Sequence, residues 1–257
     1  MGILEVIQMG LLFTLITGLF LLLGMAVIFL TKNNRKIVDF SISMAFGVIV
    51  LLIVAELLPE SYEMMSQVFS FPQNIVMLIG FVGLGILLLK VLDLFIPDHD
   101  TDTKNEASTE NLLHIGIVSG IALILHNIIE GMAIYSAVAT DTSMGFLMTV
   151  GVGLHNIPMG MVVTSTLYQS STSKKKTILF VFVTALSTFI GGILMFLLSG
   201  AISNFVLGIL LSVTLGMLIY IVLFELLEQI WHNRNSKITI FGIVAGIIIF
   251  LLTLLFE

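Results

Sequence analysis

Apolar residues in this chain gather into long runs separated by short polar stretches. A helix that crosses the hydrocarbon core of a bilayer needs about 20 such residues. Eight runs qualify, near 6–30, 37–59, 74–96, 112–137, 143–169, 177–199, 203–230 and 238–256. They predict an all-α, polytopic membrane protein with eight transmembrane helices. Most connections are short. Two are longer: residues 60–73, with Glu60, Glu63 and Pro72, and residues 97–111, from Pro97 to Asn111. The second is rich in Asp, Thr and Asn and is expected to be mobile and solvated. Such links leave no room for a soluble domain, so residues 1–257 are read as a single membrane domain.

Composition agrees with the pattern. The chain is 58% apolar and only 10% charged, with a mean hydropathy of +1.16. A soluble domain carries about a quarter charged residues. There are no cysteines, so a disulfide framework and a thiolate metal site are both excluded. Any metal must be held by nitrogen, oxygen or methionine sulfur. The first ten residues hold Glu5 and no Lys or Arg, which argues against a cleavable signal.

The placement of charge matters more than the net value of −6. With eight spans, all ten basic residues fall on one face: Lys32, Arg35, Lys36, Lys90, Lys104, Lys174, Lys175, Lys176, Arg234 and Lys237. The other face carries Glu5, Glu60, Glu63, Asp141 and Glu257. The positive-inside rule then puts the 97–111 loop in the cytoplasm and both termini outside. The expected location is the cell membrane, crossed many times.

Two stretches stand out against the apolar background. One is His126-Asn127-Ile128-Ile129-Glu130-Gly131, and the other is His155-Asn156-Ile157-Pro158-Met159-Gly160. Residues four apart share a helix face, so His126 lies with Glu130, and His155 with Met159. His126 comes about 14 residues into its helix, roughly 21 Å at 1.5 Å per residue. His155 arrives at a similar depth from the opposite face. Two antiparallel helices would therefore deliver two imidazoles, a carboxylate and a thioether to one point near the midplane. Imidazole suits Zn, Fe, Co, Ni and Cu, while Mg and Ca want several oxygens. A lone histidine in a span is more often a packing residue, and Met159 taken alone reads as core. The repeated His-Asn pair at matched depth, where polar groups are costly, favours a metal site. Asn127 and Asn156 sit one step round and can hydrogen-bond or act as weak oxygen ligands. Pro158 frees a carbonyl near residue 154, which can bend the helix or face a polar cavity.

Glu56, Glu60, Glu225 and His99 complete a candidate ion pathway, with solvation at the interface or in a loop as the competing reading. His114 receives no role. Glu56-Leu57-Leu58 near the end of helix 2 is echoed by Glu225-Leu226-Leu227 in helix 7. The predicted topology puts the two near opposite faces, as inverted-repeat pseudo-symmetry requires.

At these residues the chain resembles the ZIP (Zrt/Irt-like) family of metal-ion transporters, in its bacterial GufA-like branch. The likeness covers essentially the whole chain. The helix 4 pattern His-Asn-x-Pro-Glu-Gly is matched by His126, Asn127, Glu130 and Gly131, with Ile129 replacing the proline. The helix 5 pattern is matched by Ile157, Pro158 and Gly160. The resemblance implies uptake of divalent transition metals into the cytoplasm, commonly zinc, with iron, manganese, cadmium or cobalt in some members. It implies two rigid bundles, helices 1, 4, 5 and 6 carrying metal and helices 2, 3, 7 and 8 forming the other. Family members often hold two adjacent metals. Here Met159 stands where a bridging carboxylate is found in helix 5, and Thr188-Phe189 replaces a Glu-Pro pair in helix 6. The second site is left with Asn127, Asn156 and Thr188, all neutral. Helix 2 carries Glu56, and helix 7 Phe224, where a histidine is frequent.

The expected function is a secondary transporter with one metal, held by His126, Glu130, His155 and Met159. Zinc or a related divalent ion is then a transported substrate and not a cofactor. No Walker motif supports ATP drive. The partners expected are divalent metal ions and the bilayer, with a homodimer compatible and no nucleic acid. The alternatives are an intramembrane zinc enzyme and a non-transporting metal sensor. Against the enzyme, there is no His-Glu-x-x-His run, and Glu130 is engaged as a ligand rather than left as a base.

Overall fold

Lipid offers no hydrogen bonds to a backbone, so a chain of long apolar runs must satisfy its peptide groups within helices. The computed structural model describes residues 3–31, 35–94, 109–170, 172–198, 203–232 and 237–256, and these form helices and short connections with no strand among them. α1 spans Ile3–Leu30 and α3 spans Gln73–Asp93. α4, α5 and α6 span Thr109–Thr140, Thr142–Gln169 and Lys174–Leu198. α8 spans Lys237–Thr253. Two helices are compound. α2 runs Arg35–Leu52, passes through a π turn at Ile53–Leu57, and resumes at Leu58–Val68. α7 runs Asn204–Tyr220, passes through a π turn at Ile221–Leu226, and ends with Leu227–His232. Seven of the eight are long and apolar enough to cross a membrane, and α8 is an apolar helix of 17 residues.

The second helix departs from the expectation that it stops near residue 59. It continues to Val68, so residues 60–68 belong to a span-length helix and not to a connection. Pro59 does not end it, because it lies in the first turn of the segment that follows the π turn, where a missing N–H costs little. Pro158 likewise lies inside an unbroken α5. Between α4 and α5 only Asp141 intervenes; its carboxylate accepts from the backbone N–H of Ser143 at 2.7 Å and of Met144 at 3.2 Å, capping the new helix.

The helices divide into two sets by packing. α1 lies against α5 and α6, and α4 against the same two. α2 packs on α8 and α7, and α3 on α7. Contact between the sets is made by α5 against α2 and α8, and by α4 against α7 and, to a lesser extent, α3. That seam includes an apolar cluster of Ile28, Met44 and Met161. This is the division that the family resemblance implies.

Within the first set the backbones approach closely. A Cβ at Gly131 of α4 would run into the carbonyl of Thr188, and a Cβ at Gly191 of α6 into the carbonyl of Ile128. The two glycines thus set the α4–α6 spacing from both sides, in the manner of small residues in membrane helix pairs. At the start of α6, the Lys174 ammonium lies 4.6 Å from the centre of the Phe29 ring at the end of α1.

Candidate metal centre

The i, i+4 geometry of α4 places His126 and Glu130 on one face, and their atoms meet as that spacing requires. His126 Nε2 lies 2.7 Å from Glu130 Oε1. α5 brings His155 to the same carboxylate oxygen, with Nε2 also at 2.7 Å. The His155 contact is a hydrogen bond, whereas His126 approaches at an angle that is not one. The ring centres are 6.4 Å apart. All three residues are buried, and their donor atoms lie within 4.8 Å of one another. Among the described residues this is the one group of three or more His, Asp or Glu side chains able to share a cation.

The chemistry of the group follows from its charge. Two neutral imidazoles and one carboxylate carry a single negative charge in a region where an isolated anion is costly. A divalent ion would leave a net charge of +1, a balance that permits release as well as capture. Two nitrogens and one oxygen suit zinc and its neighbours rather than magnesium or calcium. Met159, one turn beyond His155, is fully buried and belongs to the main apolar cluster.

The neutral residues predicted to lie beside the centre are fully buried too. Asn127 donates from Nδ2 to the Thr184 carbonyl at 3.0 Å, tying α4 to α6. Its Oδ1 has no hydrogen-bond partner, and neither does the Thr188 hydroxyl or either end of the Asn156 amide.

Glu56, Glu60 and Glu225 do not belong to the group at the centre. Glu56 and Glu225 each sit in a π turn, of α2 and α7 respectively. The Glu-Leu-Leu echo thus coincides with a shared irregularity of backbone, of a kind often found at functional positions. Glu60 is half-buried on α2. His99 lies outside the described residues. His114, to which the sequence assigned nothing, lies 3.4 Å from Glu225 through Nε2, bridging α4 to α7 across the seam between the sets. No local signal marks this pair, because its members lie on different helices far apart in the chain.

Comparison with known proteins follows the same direction. Residues 96–254 match the family model described as ZIP Zinc transporter. A zinc transporter ZupT of Streptococcus mutans is 28% identical over 251 residues, covering 94% of this chain and 95% of that protein. One from Clostridium perfringens is 27% identical over 274 residues, covering 97% and 96%. One from Chlorobium luteolum is 29% identical over 260 residues, covering 96% and 97%.

Proposed function

Because the chain belongs to the ZIP zinc-transporter family, we propose that it carries zinc and related divalent ions into the cytoplasm through a single centre made by His126, Glu130 and His155. It is a zinc-type metal transporter and a multi-pass membrane protein, not an enzyme, and the metal is its substrate. The observation that carries the site is the convergence of two imidazole nitrogens on one buried carboxylate oxygen, each at 2.7 Å. Nitrogen and oxygen donors from two helices at mid-span are what a metal needs once its hydration shell is shed. Extracytoplasmic termini are supported by the one-sided distribution of Lys and Arg, and inward transport by the family resemblance. Movement of α1, α4, α5 and α6 as a unit against the other four is supported by the packing. Close backbone approaches lie within each set, while side chains such as Ile28, Met44 and Met161 fill part of the seam.

The direct test is zinc influx into liposomes containing the purified protein. Wild type is expected to admit zinc well above protein-free vesicles, and His126→Ala to fall at least about tenfold, the loss expected for removing some 1.4 kcal/mol or more of binding. Equal influx by both would remove the site assignment, and no influx by wild type would remove transport.

Met159 is proposed as the fourth donor. Leucine matches its volume, so Met159→Leu should fold normally. A thioether is a soft ligand. The substitution should therefore weaken cadmium binding more than zinc binding, read by competition against a chelating dye. Identical losses for the two ions, or none, would return Met159 to the core.

A further inference from the structure

Beside the metal triad lies a second set of polar groups whose bonding is incomplete. Threonines in these spans ordinarily give their hydroxyl to the carbonyl one turn back, as Thr17 does to Phe13 at 2.9 Å and Thr184 to Phe180 at 3.0 Å. Thr188 makes no such bond. Its carbonyl one turn back is that of Thr184, and two other side chains already hold that oxygen. Ser187 Oγ donates to it at 2.6 Å and Asn127 Nδ2 at 3.0 Å. The same arrangement fixes the Asn127 amide with its nitrogen engaged and its oxygen left over. Asn156 contributes a third fully buried oxygen with no partner.

Asn127 and Thr188 meet at the Thr184 carbonyl, and α1 packs on both the helix that carries Thr188 and the helix that carries Asn156. Along α1, Gly18 rests against Thr188 of α6, while Gly24 rests against Ile157 and Gly160 of α5. Asn156 precedes Ile157 and lies one turn from Gly160 on the same face. Asn127 and Asn156 adjoin the two metal-site histidines in the chain. Each unsatisfied oxygen in such a place is costly unless something completes it.

We infer that Asn127, Asn156 and Thr188 form a binding site for a monovalent alkali cation, sodium being the probe. The donors are amide and hydroxyl oxygens with no formal charge. A divalent ion stripped of water needs carboxylates to offset its charge, and this set has none. A singly charged ion is well served by neutral oxygen dipoles, as in carbonyl-lined ion sites. The adjacent Glu130 supplies one negative charge from the neighbouring centre, so a sodium ion in this position leaves the pair of sites neutral when no metal is bound. Thr188, read from sequence as the remnant of a second divalent site, is thereby given a present role. The inference rests on the unfilled oxygens and not on the transport reading.

The experiment uses purified full-length protein stripped of divalent metal with chelator, at constant ionic strength, with sodium chloride replacing choline chloride. The melting temperature is expected to rise saturably by several degrees with sodium and not with choline. Thr188→Val and Asn156→Leu should abolish the rise, and Thr188→Ser should keep it. Equilibrium binding of radioactive sodium to wild type should saturate near one ion per chain, a measurement that stands even where a variant fails to fold. No sodium-specific rise together with no saturable binding, or a rise unchanged in both variants, would overturn the site and leave these oxygens to water. Zinc influx by wild type in sodium-free choline buffer is measured alongside, so that loss of transport and loss of the sodium site are told apart.

Discussion

Glu130→Gln is expected to weaken zinc binding by at least about a hundredfold and to silence uptake. Both imidazoles converge on Glu130 Oε1, each at 2.7 Å, and no other carboxylate joins the group among the described residues. Glutamine has nearly the same shape, so the helices should pack as before. What is lost is the only negative charge facing the ion. Breaking one side of a buried charged pair costs about 3–5 kcal/mol, and each 1.4 kcal/mol is about tenfold in affinity. Glu130 should therefore matter more than either histidine taken singly. Competition against a chelator of known affinity measures the binding, and circular dichroism checks that helicity is unchanged. A folded Glu130→Gln protein that binds zinc within threefold of wild type would contradict the centre as drawn.

The second large effect is expected from a single methyl group. Gly131→Ala places a Cβ against the Thr188 carbonyl, which is backbone and cannot swing aside. α4 and α6 must then separate. Overpacking of this kind costs about 1–3 kcal/mol, and a chain of this size loses roughly 2–4 °C of melting temperature per kcal/mol. Uptake should fall as well, because Glu130 and Asn127 ride on the same stretch of α4 and the Asn127–Thr184 hydrogen bond crosses the gap that widens. Gly80→Ala is the control. A Cβ there meets nothing within 4 Å, and alanine is the better helix former by about 0.8–1 kcal/mol. It should melt at or above the wild-type temperature. If both variants melt alike, close packing at Gly131 does not determine the stability of the α4–α6 pair.

Some of this architecture was legible because it is local. The spans follow from runs of apolar residues, since lipid forces the backbone into helices regardless of what the neighbours are. The pairing of His126 with Glu130 follows from the pitch of one helix. The expectation failed where local rules were read too strictly. The apolar run ended near residue 59, yet the helix passes through a π turn and runs on to Val68. Composition carries no mark of such a turn, because it depends on how the backbone meets its neighbours. The repeated Glu-Leu-Leu was visible as letters, but not as two matching irregularities of α2 and α7.

By itself, then, the sequence determined which segments enter the membrane, which face of α4 carries donors, and that only nitrogen, oxygen and thioether ligands are present. Those properties are set by covalent order and helical pitch. The tertiary structure alone decided that His155 shares an oxygen with Glu130, that His114 faces Glu225, and that the Thr184 carbonyl is occupied so that the Thr188 hydroxyl is left unpaired. Each of these depends on how far one helix is shifted and rotated against another. Close backbone contacts such as those at Gly131 and Gly191 fix that shift, and no spacing within a single helix encodes it.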